Sequence, residues 1–226
     1  MTYLLLHGGA GPASVAAFAG RLPDVLAPTH PGFDGTPRPA GLTTIRDVAE
    51  HYAAQLDELD LDDVTVVGNS IGGWIAAELA LLRPRRVSRL VLVDAVGIEV
   101  PGHPVADFFS LSMPEIAQLS YADPSRFTPP PPPPNPENRK TLQVYAGEQS
   151  FVDPSLHARL AGITQPTLVV WGESDGIADL DYGRAFAAAI PGAEFRALPH
   201  TGHLPQIESP DLLLAAIQEF TARSTV

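Results

Sequence analysis

Apolar positions along the chain follow two habits: short unbroken runs rich in branched side chains, and longer stretches where an apolar residue returns every three or four positions. The short runs are Thr2 to Leu6, Asp24 to Pro28, Val64 to Gly68, Val87 to Val93, Pro166 to Trp171 and Glu194 to Leu198. They carry almost no alternation, as expected of strands buried on both faces. Pro28 cannot donate to a ladder, so its strand belongs at an edge. Helical spacing appears at Val15, Phe18, Ala19 and Leu22, with Ser14 as the expected cap and Pro23 as the stop. It returns at Ile45, Val48, Tyr52, Leu56 and Leu59 behind a Thr44/Asp47 capping box. Ile71 to Leu82 is apolar nearly all round and ends at Arg83-Pro84, which predicts a helix buried on most sides. Leu180 to Ile190 and Pro210 to Arg223 complete the alternation.

Strands alternating with helices predict an α/β fold: a mainly parallel sheet of about six strands with helices on both faces. The rhythm lapses over residues 98–165, where short amphipathic segments lie around Ala106 to Leu111, Pro114 to Ala122, Glu137 to Glu148 and Pro154 to Leu160. This stretch reads as a helical cap inserted after the strand that ends at Asp94, into a core made of 1–97 and 166–226. An insertion leaving the carboxyl end of a parallel strand lies where it can roof a ligand site. Its Pro129 to Pro134 run predicts a polyproline II rod of about 19 Å, a spacer on the outside of the cap.

Composition narrows the classes. At 226 residues the chain suits one domain with a substantial core. With no cysteine, disulfides and thiolate chemistry are excluded. The net charge of −12 disfavours nucleic acid and anionic membranes as partners. No apolar run is long enough to cross a membrane and no basic leader precedes Thr2, so the expectation is a cytoplasmic protein acting on a small molecule, its oligomeric state open.

Chemistry concentrates at Gly68-Asn69-Ser70-Ile71-Gly72, wedged between a buried strand and a buried helix. A serine there would sit on a tight turn, and the positions two before and two after it must lack bulk. A serine hydroxyl needs a base to take its proton and an acid to hold that base. Both follow in order: Trp171-Gly172-Glu173-Ser174-Asp175 ends one strand and His200-Thr201-Gly202-His203 ends the next. His200 is a rival for the base and Asp94 a rival for the acid, while the turn around Asp175 is expected to expose it. The His7-Gly8-Gly9-Ala10-Gly11 loop can turn amide hydrogens toward a developing negative charge. His7 itself reads as a loop stabiliser, and His30, His51, His103 and His157 as surface or satisfied side chains. With no His-Glu-x-x-His and no Gly-Lys-Ser, neither a metal nor a nucleotide is expected, and no cofactor is needed. The cap supplies Phe108, Phe109, Met113, Tyr121 and Tyr145, which with Trp74 are the candidate substrate-binding residues. Leu119, Phe127 and Phe151 add further apolar bulk.

Taken together, His7-Gly8-Gly9, Pro31-Gly32-Phe33, Gly68 to Gly73, Trp171 to Asp175 and Gly202-His203-Leu204-Pro205 make the chain resemble the α/β-hydrolase superfamily, of the compact cap-bearing type. The resemblance spans almost the full length. It implies Ser70 as nucleophile, Asp175 as orienting acid, His203 as general base, and an oxyanion hole from the amides of Ile71 and Gly9. With the apolar and aromatic bulk of the cap, the expected substrate is a small or medium hydrophobic ester, thioester or lactone; a C–C bond hydrolase, an amidase or a weakly catalytic receptor would share these residues. Serine at the elbow, where an aspartate would be called for, argues against dehalogenase or epoxide hydrolase chemistry. Two departures stand out: family members usually carry a pair of strands before the His-Gly strand, and the polyproline run is foreign to their caps.

Overall fold

The computed structural model describes residues 1–82, 85–126, 135–147 and 150–223. Phe127, the Pro129 to Pro134 rod and the Arg83-Pro84 helix stop lie outside the described residues. Six strands, β1 (Thr2–Leu6), β2 (Val25–Leu26), β3 (Val64–Asn69), β4 (Val87–Val93), β5 (Thr167–Gly172) and β6 (Glu194–Leu198), form one sheet in the order β2-β1-β3-β4-β5-β6. All of its pairings are parallel. The helices are α1 (Ala13–Ala19), α2 (Ile45–Glu58), α3 (Ile71–Leu82), α4 (Met113–Ser120), α5 (Pro136–Ala146), α6 (Leu156–Arg159), α7 (Leu180–Ala188), α8 (Pro205–Glu208) and α9 (Pro210–Arg223).

The alternation of side chains along each strand divides the core between the two faces. Leu4, Leu6, Val64, Val66, Leu90 and Leu92 face α2, α3 and α7. Tyr3, Leu5, Val67, Val91 and Val93 face Phe18 of α1 and Leu213, Ile217 and Phe220 of α9. With both faces covered, continuous apolar runs are the sequence such strands require, which is why they were readable. The β2 edge was read correctly as an edge, though only two of its residues pair.

Local differences from the sequence reading have physical causes. Helix α1 begins two residues early, at Ala13 with Pro12 in the cap position, and Ser14 donates its hydroxyl to the Gly11 carbonyl instead of capping. Ala106 to Leu111 forms no helix; the Arg139 guanidinium donates to the carbonyls of Phe108, Phe109 and Leu111 and ties this irregular stretch to α5. The Thr44/Asp47 capping box forms as expected, Asp47 accepting from the Thr44 amide at 2.8 Å.

Between β4 and β5 the chain leaves the sheet, builds α4, α5 and α6, and returns. Departure and return are clasped together: Gly97 bridges Val152, and the Asp153 amide donates to the Gly97 carbonyl at 2.8 Å. Just beyond, Arg159 grips the buried Glu78 of α3 with two hydrogen bonds of 2.8 and 2.6 Å and also reaches Asp153. Helix α5 is laced to the loop after β2 through one face. Asn138 and Asp34 exchange two hydrogen bonds of 2.8 Å, Thr141 donates to the Gly32 carbonyl and Tyr145 to the Pro31 carbonyl.

Candidate active site

Ser70 stands at the junction of β3 and α3 with φ 57°, a left-handed conformation that non-glycine residues adopt only when their surroundings enforce it. The enforcement is steric. A Cβ on Gly68 would run into the Gly72 carbonyl, and one on Gly72 into the backbone of Leu6, so strand and helix approach closely only with glycine at both positions. Ser70 is nearly buried, and Ile71 opens α3, so its amide is among those a helix cannot pair internally. Gly9 lies on the wall of the same cavity as Ser70.

His203 and Asp175 meet as expected. The imidazole Nδ1 and Asp175 Oδ2 are 2.8 Å apart, and the carboxylate can only accept, so Nδ1–H donates; in the neutral ring that leaves the lone pair on Nε2. Asp175 is 5% exposed, contrary to the expectation that its turn would expose it, because its other oxygen is wrapped by the amides of Ile177 and Ala178. His200 is exposed, at φ 52°, and plays no part in this pairing. Ser70 and His203 line one cavity; the hydrogen bonds of the described residues do not include one between them. Such contacts are often long in unliganded enzymes.

The cavity holds about 620 Å³. Phe108, Met113 and Tyr121 are on its wall, together with Phe151, Leu142 and Ile116. Trp74, Phe109 and Tyr145 are not: Trp74 packs under Gly97, Phe109 stacks on Phe151, and Tyr145 spends its hydroxyl on the Pro31 carbonyl. Those side chains hold the roof together. Among the described residues the wall includes Asp34 and no lysine or arginine.

Several residues that fix the site carried no sequence signal. Asn69 donates to the His203 carbonyl at 3.0 Å and accepts from Gln206, tying the serine turn to the histidine loop. Glu208 accepts from the amides of Gly202 and Ala122 at 2.6 and 3.0 Å. The end of α4 docks on both loops: the Gly176 amide donates to Leu119 and the His203 amide to Ser120. A polar residue between the glycines of a serine turn, or an acid a few positions after the histidine, is the most that sequence could have offered.

His7 and His30 form a buried pair behind the Gly-rich loop, ring centroids 3.8 Å apart. His7 donates Nδ1–H to the Gly8 carbonyl and accepts the His30 amide on Nε2. His30 donates Nε2–H to the His7 carbonyl, leaving Nδ1 to accept from the Tyr52 hydroxyl. Both rings are saturated as neutral imidazoles. Burial lowers His7 to about 4, against smaller opposing effects of the Gly8 carbonyl and Asp34. Burial, then the neighbouring His7, holds His30 well below the ordinary range.

A family model described as "Alpha/beta hydrolase family" matches residues 3–216. The chain belongs to this family. Among its alpha/beta hydrolase relatives is 2-hydroxymuconate semialdehyde hydrolase of Pseudomonas sp. (strain CF600), 30% identical over 98% of this chain and 87% of that protein. Among solved structures, a thermophilic esterase from Thermogutta terrifontis superposes with TM-score 0.79 at 25% identity, covering 100% of this chain and 91% of that one. Est816, an N-acyl homoserine lactone degrading enzyme, gives TM-score 0.80 at 25% identity over 97% and 93% of the two chains. No helix of the described residues is long and apolar enough to cross a membrane.

Proposed function

We propose that this hydrolase is a serine hydrolase cleaving a small or medium hydrophobic ester, thioester or lactone through an acyl-enzyme on Ser70. One observation carries the reading: an imidazole oriented by a buried carboxylate shares a largely apolar cavity with a serine held in a strained turn. In this mechanism His203 Nε2 takes the Ser70 proton as Oγ attacks the carbonyl carbon. The amides of Ile71 and Gly9 receive the oxyanion, and the partial positive charge at the start of α3 adds to them. Collapse of the tetrahedral species expels the leaving group, which takes the proton from His203. Water then attacks the acyl-enzyme with His203 again as base, and Ser70 is regenerated. Asp175 keeps Nδ1 protonated, so Nε2 faces the reacting atoms as the acceptor.

A fluorophosphonate probe tests this directly. Labelling at Ser70, together with ester turnover reduced by several orders of magnitude in a folded Ser70→Ala variant, is the expected result. Unchanged turnover in that variant would discard the assignment.

A second reading, C–C bond hydrolysis with the same three residues, is supported by the likeness to 2-hydroxymuconate semialdehyde hydrolase. The muconate in that name is a carboxylate, and among the described residues the wall here offers no lysine or arginine to receive one. Neutral acyl substrates therefore suit this cavity better, and a panel of esters, lactones and vinylogous ketones separates the two.

A further inference from the structure

Asp94 ends β4, directly between the strands that carry Ser70 and Asp175. It is fully buried and held at φ 46°, in the left-handed region that aspartate adopts more readily than most residues. One of its oxygens accepts the Gly172 amide at 2.8 Å; the other, Oδ2, has no donor facing it. One oxygen from each of Asp94 and Asp175 and a ring nitrogen of His203 all lie within 4.8 Å of one another. Two carboxyl groups this close in a buried site cannot both ionise. Asp175 receives two amide hydrogens and the imidazole N–H, whereas Asp94 receives a single amide. The negative charge therefore settles on Asp175 and the proton on Asp94.

We propose that Asp94 is a positioning residue: a neutral carboxylic acid whose Oδ2–H donates to the Asp175 carboxylate and locks the acid that orients His203. This rests on the serine-hydrolase reading for its catalytic consequence, but not for its protonation. The ionisable groups facing Asp94 are Asp175 from the turn after β5, His203 from the loop after β6, and Glu208 of α8. Burial foremost, then the charge of Asp175, raises Asp94 well above the usual carboxylate range, and Glu208 pushes the same way. The otherwise orphaned oxygen thereby gains a partner, and Asp175 gains a donor whose direction is fixed by the end of a core strand. The proton is not transferred in turnover; it holds geometry.

Infrared spectroscopy on the resting protein at neutral pH should show the C=O stretch of a protonated carboxyl, present in Ser70→Ala and lost in Asp94→Asn. The asparagine variant keeps an N–H donor and the same charge, so its acid limb in kcat/KM against pH should stay within about 0.3 pH unit of wild type. Asp94→Ala should lower kcat about 10- to 100-fold with KM little changed, because Asp175 is then free to swing. An acid limb displaced downward by a unit or more in Asp94→Asn would mean that a charge had been removed, and would overturn the proposal. Wild-type kcat in Asp94→Ala, or no protonated-carboxyl band to lose, would do so equally. Should Ser70→Ala retain activity, the hydrolase mechanism fails while the infrared band still reports on Asp94.

Discussion

Single side chains set limits on the conditions this site tolerates. His7 and His30 are saturated as neutral rings, so the folded protein binds their protons only at a pH well below that at which the unfolded chain does. Each folded value lies below the unfolded one; the stabilisation is therefore full above about pH 6.5 and is lost as pH falls, for His7 toward about 4. For His7 alone the loss is about 3 kcal/mol across that window. Thermal melts at pH 7.5, 6 and 5 should show a falling midpoint, and a flat series would contradict the buried pair. Asn69 makes a second residue-scale case. Asn69→Ala leaves the His203 carbonyl and Gln206 without their partner, and should cost about 1 to 3 kcal/mol in denaturant melts while slowing ester turnover. The turn at Ser70 and the loops that bring Asp175 to His203 were legible because close backbone approach imposes glycine at Gly68, Gly72, Gly172 and Gly202. Asn69 and Glu208 were not, since a side chain that bonds distant backbone leaves no periodic trace.

At the scale of elements, the sheet and its flanking helices were readable from apolar continuity, whereas the roof was readable only in part. Its α5 matches the expected segment apart from its ends, yet Ala106 to Leu111 is irregular and tied to α5 by Arg139, a tertiary contact no local pattern encodes. The same limit misplaced Trp74, Phe109 and Tyr145, because aromatic bulk looks alike whether it lines a cavity or braces its wall. Helix α3 was read as apolar nearly all round, and its buried Glu78 is tolerable only because Arg159 arrives from α6. Arg159→Ala should therefore destabilise by about 3 kcal/mol or more, measured by urea unfolding, since it strands a charge in the core. Changing Glu78 and Arg159 together to apolar residues should recover much of that loss.

For the molecule as a whole, an acidic chain of net charge −12 surrounds a cavity whose described wall carries Asp34 and no lysine or arginine. Esters with a free carboxylate should thus show kcat/KM at least about tenfold below neutral esters of equal length, with the gap narrowing as salt is added. Equal rates in a chromogenic assay at low salt would show that the wall does not discriminate by charge.

The clasp at Gly97 and Val152 has a larger consequence. Because the excursion starts and finishes at one pinned stem, its contents can be exchanged as a cassette provided that the replacement again offers carbonyls to the Gly176 and His203 amides, as Leu119 and Ser120 do. A graft between those two positions that keeps Leu119 to Ala122 should redirect substrate preference and leave fluorophosphonate reactivity at Ser70 intact, whereas one that loses them should slow the labelling.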